Sequence, residues 1–91
     1  MDQGDWNMKI EVAFQRGKTT VRLSGQFQAE QIAELKKQLQ DNGPWFVLDL
    51  TEVTVVDVEV VRFFGECEAN GAKIVHCPRY IREWMNRERE P

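Results

Sequence analysis

The side chains with most scope for chemistry are one histidine, two cysteines, a few strand-end hydroxyls and the carboxylates Asp57 and Glu59. His76 is followed directly by Cys77, with Cys67 well upstream. A zinc site needs three or four convergent ligands. Successive residues on a strand point to opposite faces, so His76 and Cys77 do not chelate together. For His76, the spacing identifies no partner acid or nucleophile. Ser24, Thr51 and Thr54 sit near strand ends. No Gly-x-Ser-x-Gly elbow surrounds Ser24, and the sequence has no Gly-rich phosphate loop. These patterns point away from an enzyme and imply no cofactor or metal.

Asp57 stands at a strand-to-helix boundary, where a carboxylate can accept from an unpaired backbone N–H of the first helical turn. Glu59, inside that turn, suits the positive end of the helix dipole. Two readings are open for the pair: a helix cap, or a constitutive acidic patch that mimics a phosphorylated state. Thr54, just upstream, is a candidate phosphosite.

The elements that must position these groups follow from periodicity. Met8, Ile10, Val12 and Phe14 alternate onto one face of a first strand. Gln15-Arg16-Gly17-Lys18 is a short turn. Thr19–Phe27 is a second strand with Val21 and Leu23 inward, completing an antiparallel hairpin. Gln28–Asp41 carries Ile32, Leu35 and Leu39 at helical spacing, with Lys36, Lys37 and Gln40 on the wet side. Asn42-Gly43-Pro44 stops that helix. Trp45–Leu50 is a nearly continuous apolar run, expected to be a central strand covered on both sides, and Thr51–Val56 reads as a connection.

Residues 58–70 form a second helix ended by Asn70-Gly71. Val60, Val61, Phe63, Phe64 and Cys67 make its core face, and Glu59, Arg62, Glu66 and Asn70 its wet face. Val58, Gly65 and Ala69 share a third strip. A glycine inside a helix costs up to about 1 kcal/mol against alanine, so Gly65 needs a reason: close approach by the first helix, or a smooth apolar strip that accepts a partner. Ala72–Cys77 is a further strand. Pro78 begins a last helix whose Tyr80, Ile81, Trp84 and Met85 are expected to cover the open sheet face. Residues 1–7, with Trp6 as an anchor, and Arg87–Pro91 are expected to fray.

The order β-β-α-β-α-β-α with right-handed crossovers places strands two, three and four in parallel and the first strand antiparallel at an edge. The fold class is α/β: one domain over residues 1–91, ordered over about 8–86, with a four-stranded mixed sheet and helices mainly on one face. The 91 residues are 42% hydrophobic and 30% charged, ordinary for a globular domain. The formal charge is −3; residues 79–90 hold +1 and the remainder −4. Nucleic-acid binding needs clustered Lys and Arg, which this balance does not provide. No apolar run approaches membrane-spanning length, and the acidic start Met1–Asp5 lacks the order of a signal peptide. Reduced cysteines and a cytoplasmic location are the corresponding expectations.

The stretch Leu48-Asp49-Leu50-Thr51-Glu52-Val53-Thr54-Val55-Val56-Asp57, followed directly by a helix, resembles the STAS domain of anti-sigma factor antagonists and sulfate-transporter tails. Val21-Arg22-Leu23-Ser24-Gly25-Gln26-Phe27 is similar to that family's second strand and its Leu-x-Gly turn. The resemblance covers roughly residues 8–86. In those bacterial antagonists, the aspartate matching Asp57 precedes a serine or threonine that a partner kinase phosphorylates, which alters partner choice. Here the residues are Asp57-Val58-Glu59-Val60. Val58 has no hydroxyl, so the usual phosphorylation is chemically excluded. The second helix is about one turn shorter than is typical, and the ending Cys77–Trp84 is similar to a compact STAS-like subgroup.

The resemblance implies a non-enzymatic regulatory module that binds a protein partner, such as an anti-sigma or kinase-like protein, near the start of the second helix. The candidate contacts are Thr54, Asp57, Val58, Glu59, Arg62 and Gly65. An alternative is a small STAS subunit that binds the ATPase of a phospholipid-transport ABC complex. A weak homodimer, through the second helix or the exposed edge strand, is a further expectation.

Overall fold

A computed structural model describes residues 8–40 and 45–89, the side chain of Arg89 excepted. Trp6, the Asn42-Gly43-Pro44 stop and the last two residues lie outside the described residues.

Strands β1 (Met8–Gln15) and β2 (Lys18–Phe27) form the expected hairpin. Its turn has positive φ at both Arg16 and Gly17, the mirror-image geometry that matches strand twist. A single 3-10 turn (Ala29–Gln31) leads into α1 (Ile32–Gln40), so the α-helix proper begins later than the hydrophobic spacing suggested. Gln28 N–H donates to Gln31 Oε1 at 2.8 Å, holding that entry. β3 (Phe46–Val56), α2 (Val58–Ala69), β4 (Lys73–Val75) and α3 (Arg79–Arg89) follow. The sheet order is β1-β2-β3-β4, with β1 antiparallel to β2 and the other pairs parallel. This is the expected four-stranded mixed sheet.

Three further boundaries and one exposure differ from the sequence reading. β3 runs through Thr51–Val56, because two register shifts against β2 absorb extra residues instead of ending the strand. β4 is only three residues long, since His76 adopts a left-handed φ of +54° that breaks the extended run. α3 continues through Arg87 and Arg89 rather than fraying. Val12 and Phe14 share the apolar row of Met8 and Ile10 yet are exposed, because that row extends beyond the helices.

One core joins the sheet to the helices: Val21, Leu23 and Phe27 of β2, Leu48 and Leu50 of β3, Leu35 of α1, and Val60, Val61 and Phe64 of α2 are all fully buried. The projection of α2 holds, with Phe63 also buried, Cys67 half-buried, and Glu59, Arg62, Glu66 and Asn70 exposed. α3 corrects the sequence reading. It does not cover the open sheet face but lies along α2, adding Ile81 and Met85 to the existing core. Arg82 is bidentate to Glu68 at 2.9 and 3.1 Å, and Arg62 Nε meets Glu88 at 2.9 Å. An apolar stripe fixes that a helix must pack but not on which surface. The opposite sheet face keeps Glu11, Arg22 and Lys73 exposed, so the central strand is not covered on both sides as its apolar sequence suggested.

Candidate functional site

β3 ends at Val56, and the chain turns at Asp57 directly into α2. Asp57 has extended backbone geometry, φ −109° and ψ 179°, which is ordinary for the residue before a helix. Its Oδ1 accepts from Val60 N–H at 3.1 Å, the expected cap. Its Oδ2 accepts from Ala29 N–H at 2.8 Å. One carboxylate therefore satisfies unpaired donors at two helical starts and ties the α1 entry to the α2 entry.

The other candidates surround this joint. Val58, the first residue of α2, is half-buried, and Glu59 is exposed. Arg62 lies 3.6 Å from Glu59 on one side and 2.9 Å from Glu88 of α3 on the other. The Glu88 contact, with Glu59 as a lesser contributor, holds the Arg62 guanidinium above its ordinary pKa. The thought that Asp57 and Glu59 form an acidic patch mimicking phosphate is not favoured by this geometry. Asp57 is engaged by two backbone donors, and Glu59 shares the Arg62 charge.

Thr54 is exposed, and its backbone carbonyl accepts from Tyr80 Oη–H at 2.8 Å. Gly65 is half-buried, but a Cβ added there would meet nothing within 4 Å. Close approach by the first helix is therefore not the reason for this glycine. Gly65 instead lines a shallow groove of about 320 Å³ between α2 and α3, together with Val61, Arg62, Ala69, Met85 and Glu88. Thr54, Asp57, Val58 and Glu59 thus lie in one short segment, while Arg62 and Gly65 continue along α2 onto the groove.

The sequence reading missed Ala29, Tyr80 and Glu88, each of which meets the site from a distant part of the chain. Their residue types carry no signal of that. It also missed Asp49, where a signal did exist: a lone acid inside the apolar run Trp45–Leu50. Asp49 is only 7% exposed. Its Oδ1 accepts from Thr51 N–H at 3.0 Å and Thr51 Oγ1–H at 2.6 Å, and lies 3.4 Å from His76 Nδ1. Arg22 Nε is 3.8 Å from Oδ2. Burial alone pushes the Asp49 carboxyl up, but the Thr51 hydrogen bonds and His76 together outweigh it and leave it below its ordinary value.

The remaining chemical candidates fall apart in space. Cys67 is on α2, and burial pushes its thiol up to about 11. Cys77 follows β4, with its Sγ 3.5 Å from the Pro78 carbonyl oxygen. Both are free thiols. Among the described residues, no three or more His, Cys, Asp or Glu side chains are grouped to hold a metal ion, and no helix is long and apolar enough to cross a membrane.

The sequence matches no family model and no curated protein. The fold is similar to a solved structure: the crystal structure of an anti-sigma factor antagonist from Mycobacterium paratuberculosis, with a TM-score of 0.62 at 17% identity. The match covers 74% of this chain and 65% of that one. The fold is STAS-like. In the terms of that fold, the β3–α2 joint built on Asp57 is the strand–loop–helix region that carries the resemblance in sequence. The STAS-like core here is completed by α3 laid along α2, with Tyr80 Oη–H donating to the Thr54 carbonyl near the end of β3.

Proposed function

We propose that this chain is a non-enzymatic regulatory module of the cytoplasm that acts by binding a protein partner at the start of α2. The contact surface is Thr54, Asp57, Val58, Glu59, Arg62 and Gly65. The observation that carries this reading is the double use of the Asp57 carboxylate. It holds the β3–α2 joint in one geometry against α1, while Val58 at the next position offers a small apolar surface and no hydroxyl. A preformed joint suits recognition without a covalent switch, since little ordering is left to oppose association. The STAS-like fold, shared with an anti-sigma factor antagonist, adds support for a protein partner of the anti-sigma or kinase-like kind.

A second reading rests on the same absence of a hydroxyl at Val58. A constitutive module also serves as a structural subunit, here one that binds the ATPase of an ABC-type phospholipid transport complex. Affinity capture from the native cell, with Val58→Lys as the control, separates the two readings. Retention of a kinase-like or anti-sigma partner supports the first and retention of an ATPase the second. Captured proteins insensitive to Val58→Lys contradict both.

A further inference from the structure

The sheet has two edges of very different character. β4 is three residues long, whereas β1 has eight, contains no proline and pairs with β2 without a bulge along its whole length. β1 therefore has no proline, bulge or short length to blunt it as an edge strand, and its only charged side chains, Lys9 and Glu11, neutralise each other at 3.3 Å. The hairpin closes on the pair Gln15 and Lys18 around a two-residue turn. Such a closing pair exchanges both hydrogen bonds, after which bonded and non-bonded pairs alternate. Lys9, Glu11, Ala13 and Gln15 thus direct their backbone groups toward β2. Those of Met8, Ile10, Val12 and Phe14 face outward from the sheet. Of these four, Met8 and Ile10 are half-buried, whereas Val12 is 45% and Phe14 70% exposed.

The same edge carries a recess of about 660 Å³ between β1 and α1, floored by Met8 and Ile10 and rimmed by Glu30, Gln31 and Glu34, with Lys9 also at the rim but paired to Glu11 at 3.3 Å. At the opposite end of β1, the hairpin tip presents the exposed residues Arg16 and Lys18. One end of the edge is thus acidic with an apolar recess, and the other is basic with a protruding phenyl ring. A surface of that kind is complementary to itself under a two-fold axis.

We propose that two copies of this chain associate by antiparallel pairing of their β1 strands about a two-fold axis at Val12, with each Phe14 entering the β1–α1 recess of the other copy. In this register Val12 faces Val12, Ile10 faces Phe14, and the Arg16–Lys18 tip of one copy reaches Glu30 and Glu34 of the other. The two registers shifted toward the start of β1 are worse. An axis at Glu11 sets Glu11 directly against Glu11, a destabilising like-charge pair. An axis at Ile10 brings the two Glu30–Glu34 segments toward each other and leaves Phe14 outside the recess. None of the candidate partner contacts lies on β1, so this association leaves the α2 face open and stands apart from the proposed function.

Sedimentation equilibrium of the full chain across concentration, paired with amide exchange by NMR, tests the proposal. A concentration-dependent dimer is expected, with exchange at Ile10, Val12 and Phe14 slowing as concentration rises and exchange at Glu11 and Ala13 unchanged. Phe14→Glu, at an exposed position, is expected to weaken dimerisation by about ten-fold or more. Arg16→Glu and Glu34→Arg each weaken it, and the two together restore it. A monomer at every concentration overturns the proposal. So does a dimer insensitive to Phe14→Glu, or concentration-dependent protection that spares Ile10, Val12 and Phe14.

Discussion

The carboxylate of Asp57 accepts from the backbone N–H of Ala29 at 2.8 Å, although the two residues are 28 positions apart. With the Val60 cap on its other oxygen, this makes Asp57 the joint between the two helical entries that flank the β2–β3 end of the sheet. The candidate contact surface is built outward from that joint, so its geometry depends on a residue that need not touch the partner through its side chain.

Asp57→Ala removes both acceptors and leaves two backbone donors without their partner. The expected loss is about 2–3 kcal/mol of unfolding free energy, from a cap and a charge-assisted hydrogen bond. Asp57→Asn keeps one acceptor and turns a donor on the other N–H, so its loss falls between Ala and the native residue. Urea unfolding of the three proteins checks the order. Equal stability of Asp57→Ala and native protein contradicts the joint.

The cap itself was legible in the sequence, because Asp before an apolar-periodic run is a local signal. The bond to Ala29 was not, since it depends on how the β2–α1 connection packs against the β3–α2 turn. The same division holds elsewhere. The hairpin, the parallel strands and the core face of α2 follow from short-range periodicity. The placement of α3 required the tertiary pairs Arg82–Glu68 and Arg62–Glu88 to α2 and Tyr80–Thr54 to β3. The length of β3 was hidden by register shifts that no residue pattern announces.

Asp49 makes the fold sensitive to acid. Its carboxyl lies below the ordinary value of 3.8 in the folded protein, where the Thr51 hydrogen bonds and His76 offset the burial that raises it. A depressed folded value means that the stabilisation is fully present above 3.8 and is lost as pH falls through and below that value. Asp49→Asn is expected to flatten the fall in stability as pH drops below about 4, the ordinary carboxylate value from which Asp49 is lowered. Thermal unfolding across that range reads the slope, and an unchanged slope contradicts the assignment.

Gly65 separates folding from recognition. A methyl group at this position meets nothing within 4 Å, and the residue lies inside α2 with no left-handed φ. Gly65→Ala is therefore expected to stabilise the chain by about 1 kcal/mol through helix propensity. A bulkier Gly65→Leu fills the α2–α3 groove and is expected to weaken partner binding while the fold persists. Destabilisation by Gly65→Ala, read from a lower unfolding midpoint in urea, contradicts the open strip.

Cys67 is expected to be a slow nucleophile. Burial raises its thiol to about 11, with the charge of Glu66 adding to the effect and Lys36 opposing it. At neutral pH the thiolate fraction is then far below that of an ordinary cysteine. Alkylation of native protein by iodoacetamide, followed by mass spectrometry, should label Cys67 much more slowly than unfolded protein, with a rate that climbs through pH 10. Labelling of Cys67 at the unfolded rate near pH 7 contradicts this environment.

Titration of the captured partner against native chain, Val58→Lys and the edge variant Phe14→Glu tests the central claim most directly. Lysine at Val58 places a cation at the positive end of α2 and removes the apolar surface beside Asp57, at a folding cost of only about 0.3–1 kcal/mol from the helix dipole. The account predicts that Val58→Lys weakens the complex by about ten-fold or more, equivalent to about 1.4 kcal/mol, while Phe14→Glu binds as the native chain does. Equal affinity of native and Val58→Lys proteins, both folded by circular dichroism, would contradict the placement of the partner at the start of α2.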